Sequence, residues 1–172
     1  MIEGKGVILL VEDSRAIRLA TSRALEQAGY IMRMASGNCD LEQKIAADPA
    51  FLQGVDLIVL DMELEEPLER QREDKSGVHI GSQMTGSQIG VSLGLVHAQL
   101  QSVPFLVYSA KEPEEIEHHL HELAEFAEMD GQIKNNCKGF ILKTAGAESL
   151  LVEKSRQILF DHARSSEPSR AT

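Results

Sequence analysis

Residues Val7–Ser14 read VILLVEDS, and residues Val55–Met62 read VDLIVLDM. Each is an aliphatic run that ends on acid, Glu12-Asp13 after the first and Asp61 after the second. A strand with one wet face alternates apolar and polar residues. An unbroken run reads instead as a strand covered on both faces, as in a parallel sheet packed between helices. Two further runs match: Pro104–Ser109 (PFLVYS) and Gly139–Leu142 (GFIL), the last followed by Lys143. A shorter one, Tyr30–Ala35, closes on Ser36-Gly37.

The segments between these runs carry helical signals. Ser14 is placed to cap a helix over Arg15–Ala28, with Ile17, Ala20, Ala24 and Ala28 on one face and Gly29 as its stop. Weaker patterns predict helices at about Asp40–Ala47 and Ser87–Gln101. A long amphipathic helix is predicted from Glu112 to about Met129, with Ile116, Leu120, Leu123 and Ala127 inward and an acidic start that suits the helix dipole. A last helix is predicted over about Ala147–His162. Five strands alternating with five helices predict an α/β fold with a parallel sheet and right-handed crossovers. One domain is expected over 1–163, interrupted by an inserted loop at about 64–84, with a flexible tail at 164–172.

Composition removes several function classes. The chain has 172 residues, 42% of them hydrophobic, enough for a core. Lys and Arg total 17 against 27 Asp and Glu, a net charge of −10. Trp is absent and aromatics are 4%. Neither a basic footprint nor a base-stacking platform for nucleic acid is visible. No apolar run reaches the roughly 18 residues of a membrane helix, and Gly6–Val11 runs straight into acids, so no membrane insertion and no signal peptide are expected. Two cysteines, Cys39 and Cys137, suit a reducing compartment, and a cytoplasmic location is expected.

In open α/β sheets the ligand site lies beyond the carboxyl ends of the strands. Those ends supply Glu12, Asp13, Asp61, Ser109 and Lys143. Three carboxylates in close quarters repel one another, and a bound divalent cation removes the conflict. A few hard oxygen ligands suit Mg²⁺. A metal, an ammonium and a hydroxyl together suit the oxygens of a phosphoryl group in flight, with an aspartate as nucleophile.

At these residues the chain resembles the receiver domain of bacterial two-component response regulators. VILLVEDS, VDLIVLDM, PFLVYSA and KGFILK carry the resemblance in order, over roughly Gly6–Leu159. It implies a flavodoxin-like, doubly wound five-stranded sheet of order 2-1-3-4-5 with helices on both faces. It implies that Glu12, Asp13 and Asp61 hold Mg²⁺ together with the backbone carbonyl of Glu63. Asp61 would accept a phosphoryl group from the phosphohistidine of a sensor histidine kinase or phosphotransfer protein. Ser109 and Lys143 would bind its oxygens, and Phe140 would be the switch side chain. Partner binding, or a homodimer, would use the face of the fourth helix, fifth strand and fifth helix. Glu63 and Lys111 stand where side chains of this family modulate loss of the phosphoryl group, and the two could pair across the site.

The chain departs from the family pattern at Thr144, where proline is usual, in about 17 extra residues before Met84-Thr85-Gly86, and in a longer stretch from Ser109 to Lys143. The insertion and Thr144 support an alternative, a pseudo-receiver that binds a partner without phosphorylation. A haloacid-dehalogenase-like phosphatase wants a second aspartate where Glu63 stands, and a nuclease would leave Ser109 and Lys143 unused. A signalling switch is therefore expected rather than an enzyme. His118, His119 and His121 lack zinc spacing and read as a solvated helix face.

Overall fold

A computed structural model describes residues 6–62, 64, 100, 102–118, 121 and 136–166. Five strands among them form one parallel sheet: β1 (Val7–Val11), β2 (Ile31–Ala35), β3 (Val55–Leu60), β4 (Phe105–Ser109) and β5 (Cys137–Leu142). Their order is β2-β1-β3-β4-β5, the expected doubly wound arrangement. Helix α1 (Arg15–Gln27), helix α2 (Asn38–Ala47) and a C-terminal helix (Ala147–Ser166) pack on it.

The unbroken aliphatic runs explain the layering. Because side chains alternate along a strand, neighbouring residues of one run enter two separate cores. Leu9, Val11, Ile58, Leu60 and Val107 join Leu41 of α2 and Ile116 on one face. Ile8, Leu10, Leu57, Val59 and Tyr108 join Leu25 of α1 and Leu151 and Ile158 of the C-terminal helix on the other. Each fully buried side chain of this size contributes about 1.5–3 kcal/mol, so a polar residue at one of these core positions would destabilise its strand by a comparable amount.

Register is interrupted twice. β1 and β3 pair Val7 with Val55 and then Ile8 with Leu57, leaving Asp56 as an extra residue. Its carboxylate accepts the Val7 N–H at 2.8 Å. β4 and β5 pair Phe105 with Cys137 and then Val107 with Phe140, so Lys138 and Gly139 face Leu106 alone. Gly139 turns this bulge at φ 112°, where a side chain would be strained. Past both bulges the pairing is regular to the strand ends.

Several expectations are corrected. Ser14 precedes α1 with extended backbone, but its side chain makes no cap hydrogen bond. Its carbonyl accepts the Arg18 N–H at 2.8 Å, and its own N–H is drawn to the acids before it. Ala20 is exposed, and the buried residues of α1 are Thr21, Ser22 and Leu25. The face is therefore centred about a third of a turn from the one the alanines suggest, because two polar residues occupy it. Gly29 ends α1 at φ 93°, as expected. β5 begins at Cys137 because the Gly139 bulge lets polar residues pair ahead of it.

The C-terminal helix runs to Ser166, past the predicted end at His162. Arg164 lies over the Phe160 ring, and Ser165 Oγ donates to the Asp161 carbonyl at 2.9 Å; both contacts extend the last turn. All but Leu64 of the inserted loop, all but Leu100 of the third predicted helix, residues 119, 120 and 122–129 of the fourth, and 167–172 lie outside the described residues. Among the described residues, no helix is long and apolar enough to cross a membrane.

Candidate functional site

The chain turns from β1 to β2 on one side and from β3 towards β4 on the other. The gap between the carboxyl ends of β1 and β3 is therefore a topological switch point, where such sheets open a crevice. Glu12, Asp61 and Lys143 each stand one step past a strand end and are held by one further backbone bond. The Glu12 N–H donates to the Ala35 carbonyl at 3.0 Å, that of Asp61 to Val11 at 2.9 Å, and that of Lys143 to Ser109 at 2.8 Å. The sheet ladder thus runs directly into the site.

Glu12, Asp13 and Asp61 converge, with one carboxylate oxygen from each lying within 4.8 Å of the others. Glu12 is 1% exposed and Asp61 4%, while Asp13 is half-buried. Lys143 crosses to them from β5. Its Nζ lies 2.5 Å from Asp61 Oδ2 and 2.7 Å from Glu12 Oε2, with its side chain 10% exposed. The contact with Glu12 is a close ion pair in which Lys143 is shared with Asp61. Burial pushes the Glu12 carboxyl up to about 7; Lys143 opposes this and the Asp61 charge adds to it.

One ammonium therefore balances two buried carboxylates and a third close by. The buried Glu12 Oε2 is met by the shared Lys143 ammonium, and the three acids offer hard oxygen ligands. That donor set fits a small divalent cation such as Mg²⁺. Among the described residues this is the single cluster of its kind; His118 and His121 join no such group, and His119 lies outside the described residues. Burial raises the Cys137 thiol, which favours its inert protonated form.

Ser109 is fully buried at the end of β4, and its Oγ accepts the Lys111 N–H at 3.2 Å. That bond leaves the hydroxyl proton available as a donor. Phe140 is half-buried against the core on the α2 face. The Lys111 ammonium lies 3.8 Å from Glu115 on the helical turn that follows. Glu63 lies outside the described residues, and so does its expected pairing with Lys111. Where proline is usual, Thr144 donates its N–H to the Leu142 carbonyl at 2.9 Å, a bond proline could not make.

Two neighbours of the site escaped the sequence reading. Arg18 reaches back from the first turn of α1, and its Nη1 donates to the carbonyls of Glu12 at 2.5 Å and Asp13 at 3.0 Å. An arginine five residues beyond an acidic strand end is its sequence signal. Tyr108 places its ring beneath the Lys143 ammonium, 5.6 Å from Nζ to centroid. It reads as one more residue of an apolar strand, so nothing local marks it.

No protein-family model matches the sequence, and neither does any curated protein. Solved structures do match. A CheY-like response regulator receiver domain protein from Methanospirillum hungatei JF-1 aligns with a TM-score of 0.62 at 17% identity, over 94% of this chain and 99% of that one. The chemotaxis response regulator CheY4 of Vibrio cholerae aligns at 0.57 and 19%, over 90% and 98%. The response regulator TrrA from Thermotoga maritima, in complex with Mg²⁺ and BeF, aligns at 0.55 and 16%, over 89% and 98%. The similar structures are mostly receiver domains, and this chain has their fold.

Proposed function

We propose that the chain is a phosphoaccepting signalling switch in which Asp61 takes a phosphoryl group from a phosphohistidine. The observation that carries the reading is the Lys143 ammonium held between two buried carboxylates beside a third, at the switch point of a receiver-type sheet. An Asp61 carboxylate oxygen attacks phosphorus, the P–N bond of the donor breaks, and the imidazole leaves with a proton from solvent. Mg²⁺ held by Glu12, Asp13, Asp61 and the Glu63 carbonyl would offset charge on the phosphoryl oxygens. Lys143 pairs with the transferred group as a point charge, and the Ser109 hydroxyl donates to one of its oxygens.

The new charge is the switch. Lys143 exchanges a carboxylate partner for the phosphoryl group, Ser109 turns towards it, and packing around Phe140 follows. Glu63 and Lys111 modulate how fast water removes the group. Output passes through the face built by the fourth helix, β5 and the C-terminal helix, to a partner protein or a second copy. The donor is a sensor histidine kinase or a phosphotransfer protein.

Intact mass after incubation with a small acyl phosphate and Mg²⁺ tests the reading. One acid-stable, base-labile phosphoryl group is expected on the native chain and none on Asp61→Asn. No gain on a folded native chain would overturn it and leave the phosphorylation-independent binding module.

A further inference from the structure

The proposed reaction gives Lys143 two carboxylate partners and later a phosphoryl group. It gives no role to the third neighbour of the ammonium, the face of Tyr108. Tyr108 lies in β4 one residue before Ser109 and is 2% exposed. Its side chain belongs to the core under α1 and the C-terminal helix, with Leu10, Val59 and Leu106. The Thr21 hydroxyl stands beside the phenol at the far end of the ring. The ring is therefore fixed by the sheet and by packing.

An ammonium within about 6 Å of an aromatic centroid is attracted by the ring quadrupole, and more strongly where water is excluded. Here the separation is 5.6 Å, and the Lys143 side chain is 10% exposed. Glu12 and Asp61 are exchangeable partners, because both belong to the three carboxylates that a cation would claim. A four-carbon stem released by both would be free to swing outwards, losing rotamer order that the reaction needs. The ring neither ligates a cation nor forms a competing strong hydrogen bond with one.

We propose that Tyr108 is a positioning residue for Lys143: its ring holds the ammonium at the site while the carboxylate partners change. This rests on the phosphoacceptor reading of Asp61. The ring face acts, not the hydroxyl, so Tyr108→Phe restores what Tyr108→Leu loses.

The test uses the full chain with Tyr108→Leu, Tyr108→Phe and a series of progressively fluorinated phenylalanines at position 108. Fluorine drains the quadrupole while nearly keeping ring shape. One readout is the rate of phosphorylation by a small acyl phosphate at saturating Mg²⁺, with the thermal midpoint of each variant alongside. Tyr108→Leu should be about tenfold slower. The rate should fall steadily with fluorination while the midpoint stays level, a trend that a merely structural role would not produce. A flat rate across the fluorinated series overturns the proposal, even if Tyr108→Leu fails to fold.

A second readout is independent of phosphorylation. Without Mg²⁺, the Lys143 ε-methylene protons should show an upfield ring-current shift by NMR, lost in Tyr108→Leu. If the native chain takes no phosphoryl group, the phosphoacceptor reading fails by itself. The position of the ring is then judged on the NMR shift, whose absence from the native chain overturns it.

Discussion

Replacing Glu12 by Gln should remove a pH dependence of stability that the native, metal-free chain carries. The Glu12 carboxyl is raised from its ordinary 4.5 to about 7, first by burial. Between about pH 5 and about pH 8 the unfolded chain has already released this proton, while the folded chain gives it up only within the interval. The proton excess lies on the folded side, so stability falls as pH rises. Integrated across the interval at about 1.36 kcal/mol per pH unit, the loss is about 2–3 kcal/mol. Glutamine carries no such proton and leaves Lys143 paired with Asp61. Urea unfolding of both proteins at the two pH values isolates the difference, because histidines that titrate in the same range are common to both. Glu12→Gln should match the native chain at the lower pH and exceed it by about 2–3 kcal/mol at the higher. Mg²⁺ at about a hundred times its dissociation constant would return about 2.7 kcal/mol to the native chain and much less to the variant. Parallel pH profiles for the two proteins would refute the argument.

Arg18→Met removes the guanidinium that ties the carbonyls of Glu12 and Asp13 to α1. Mg²⁺ affinity measured by calorimetry should fall about tenfold with the circular dichroism spectrum unchanged, because groups that orient ligands typically cost this much when lost. Gly139→Ala meets no neighbouring atom, so its effect is conformational alone. The strain at φ 112° should cost about 1–3 kcal/mol in urea unfolding, and an unchanged midpoint would show that the bulge relaxes freely.

Much of the architecture was written in the strands. VILLV and VDLIVL are apolar at every position except Asp56, and only a sheet covered on both faces uses such runs. The acids, Ser109 and Lys143 follow the strand ends directly, so the edge where they gather could be read from the same segments. What stayed hidden depends on partners distant in sequence. Thr21 and Ser22 are buried because α1 lies against β1, β2 and the C-terminal helix, and their polarity pulled the expected face towards Ala20. Asp56 looks like a flaw in its strand until the Val7 N–H is found on its carboxylate. The part Tyr108 plays depends on the crossing of Lys143 from β5, which no local pattern shows.

The two bulges have a consequence for how this protein tolerates change in length. Both sit at the amino ends of their strands, at Asp56 and at Lys138-Gly139. Each lets one strand carry a surplus residue and return to step before its carboxyl end. The sheet therefore has a loose hem and a true edge. A residue gained or lost along the hem is taken up in the slack, as Asp56 already is. At the other margin one residue shifts a side chain by about 3.3 Å and turns it to the opposite face. Lineages of this chain can lengthen or shorten beneath the sheet while Glu12, Asp61, Ser109 and Lys143 keep a common level.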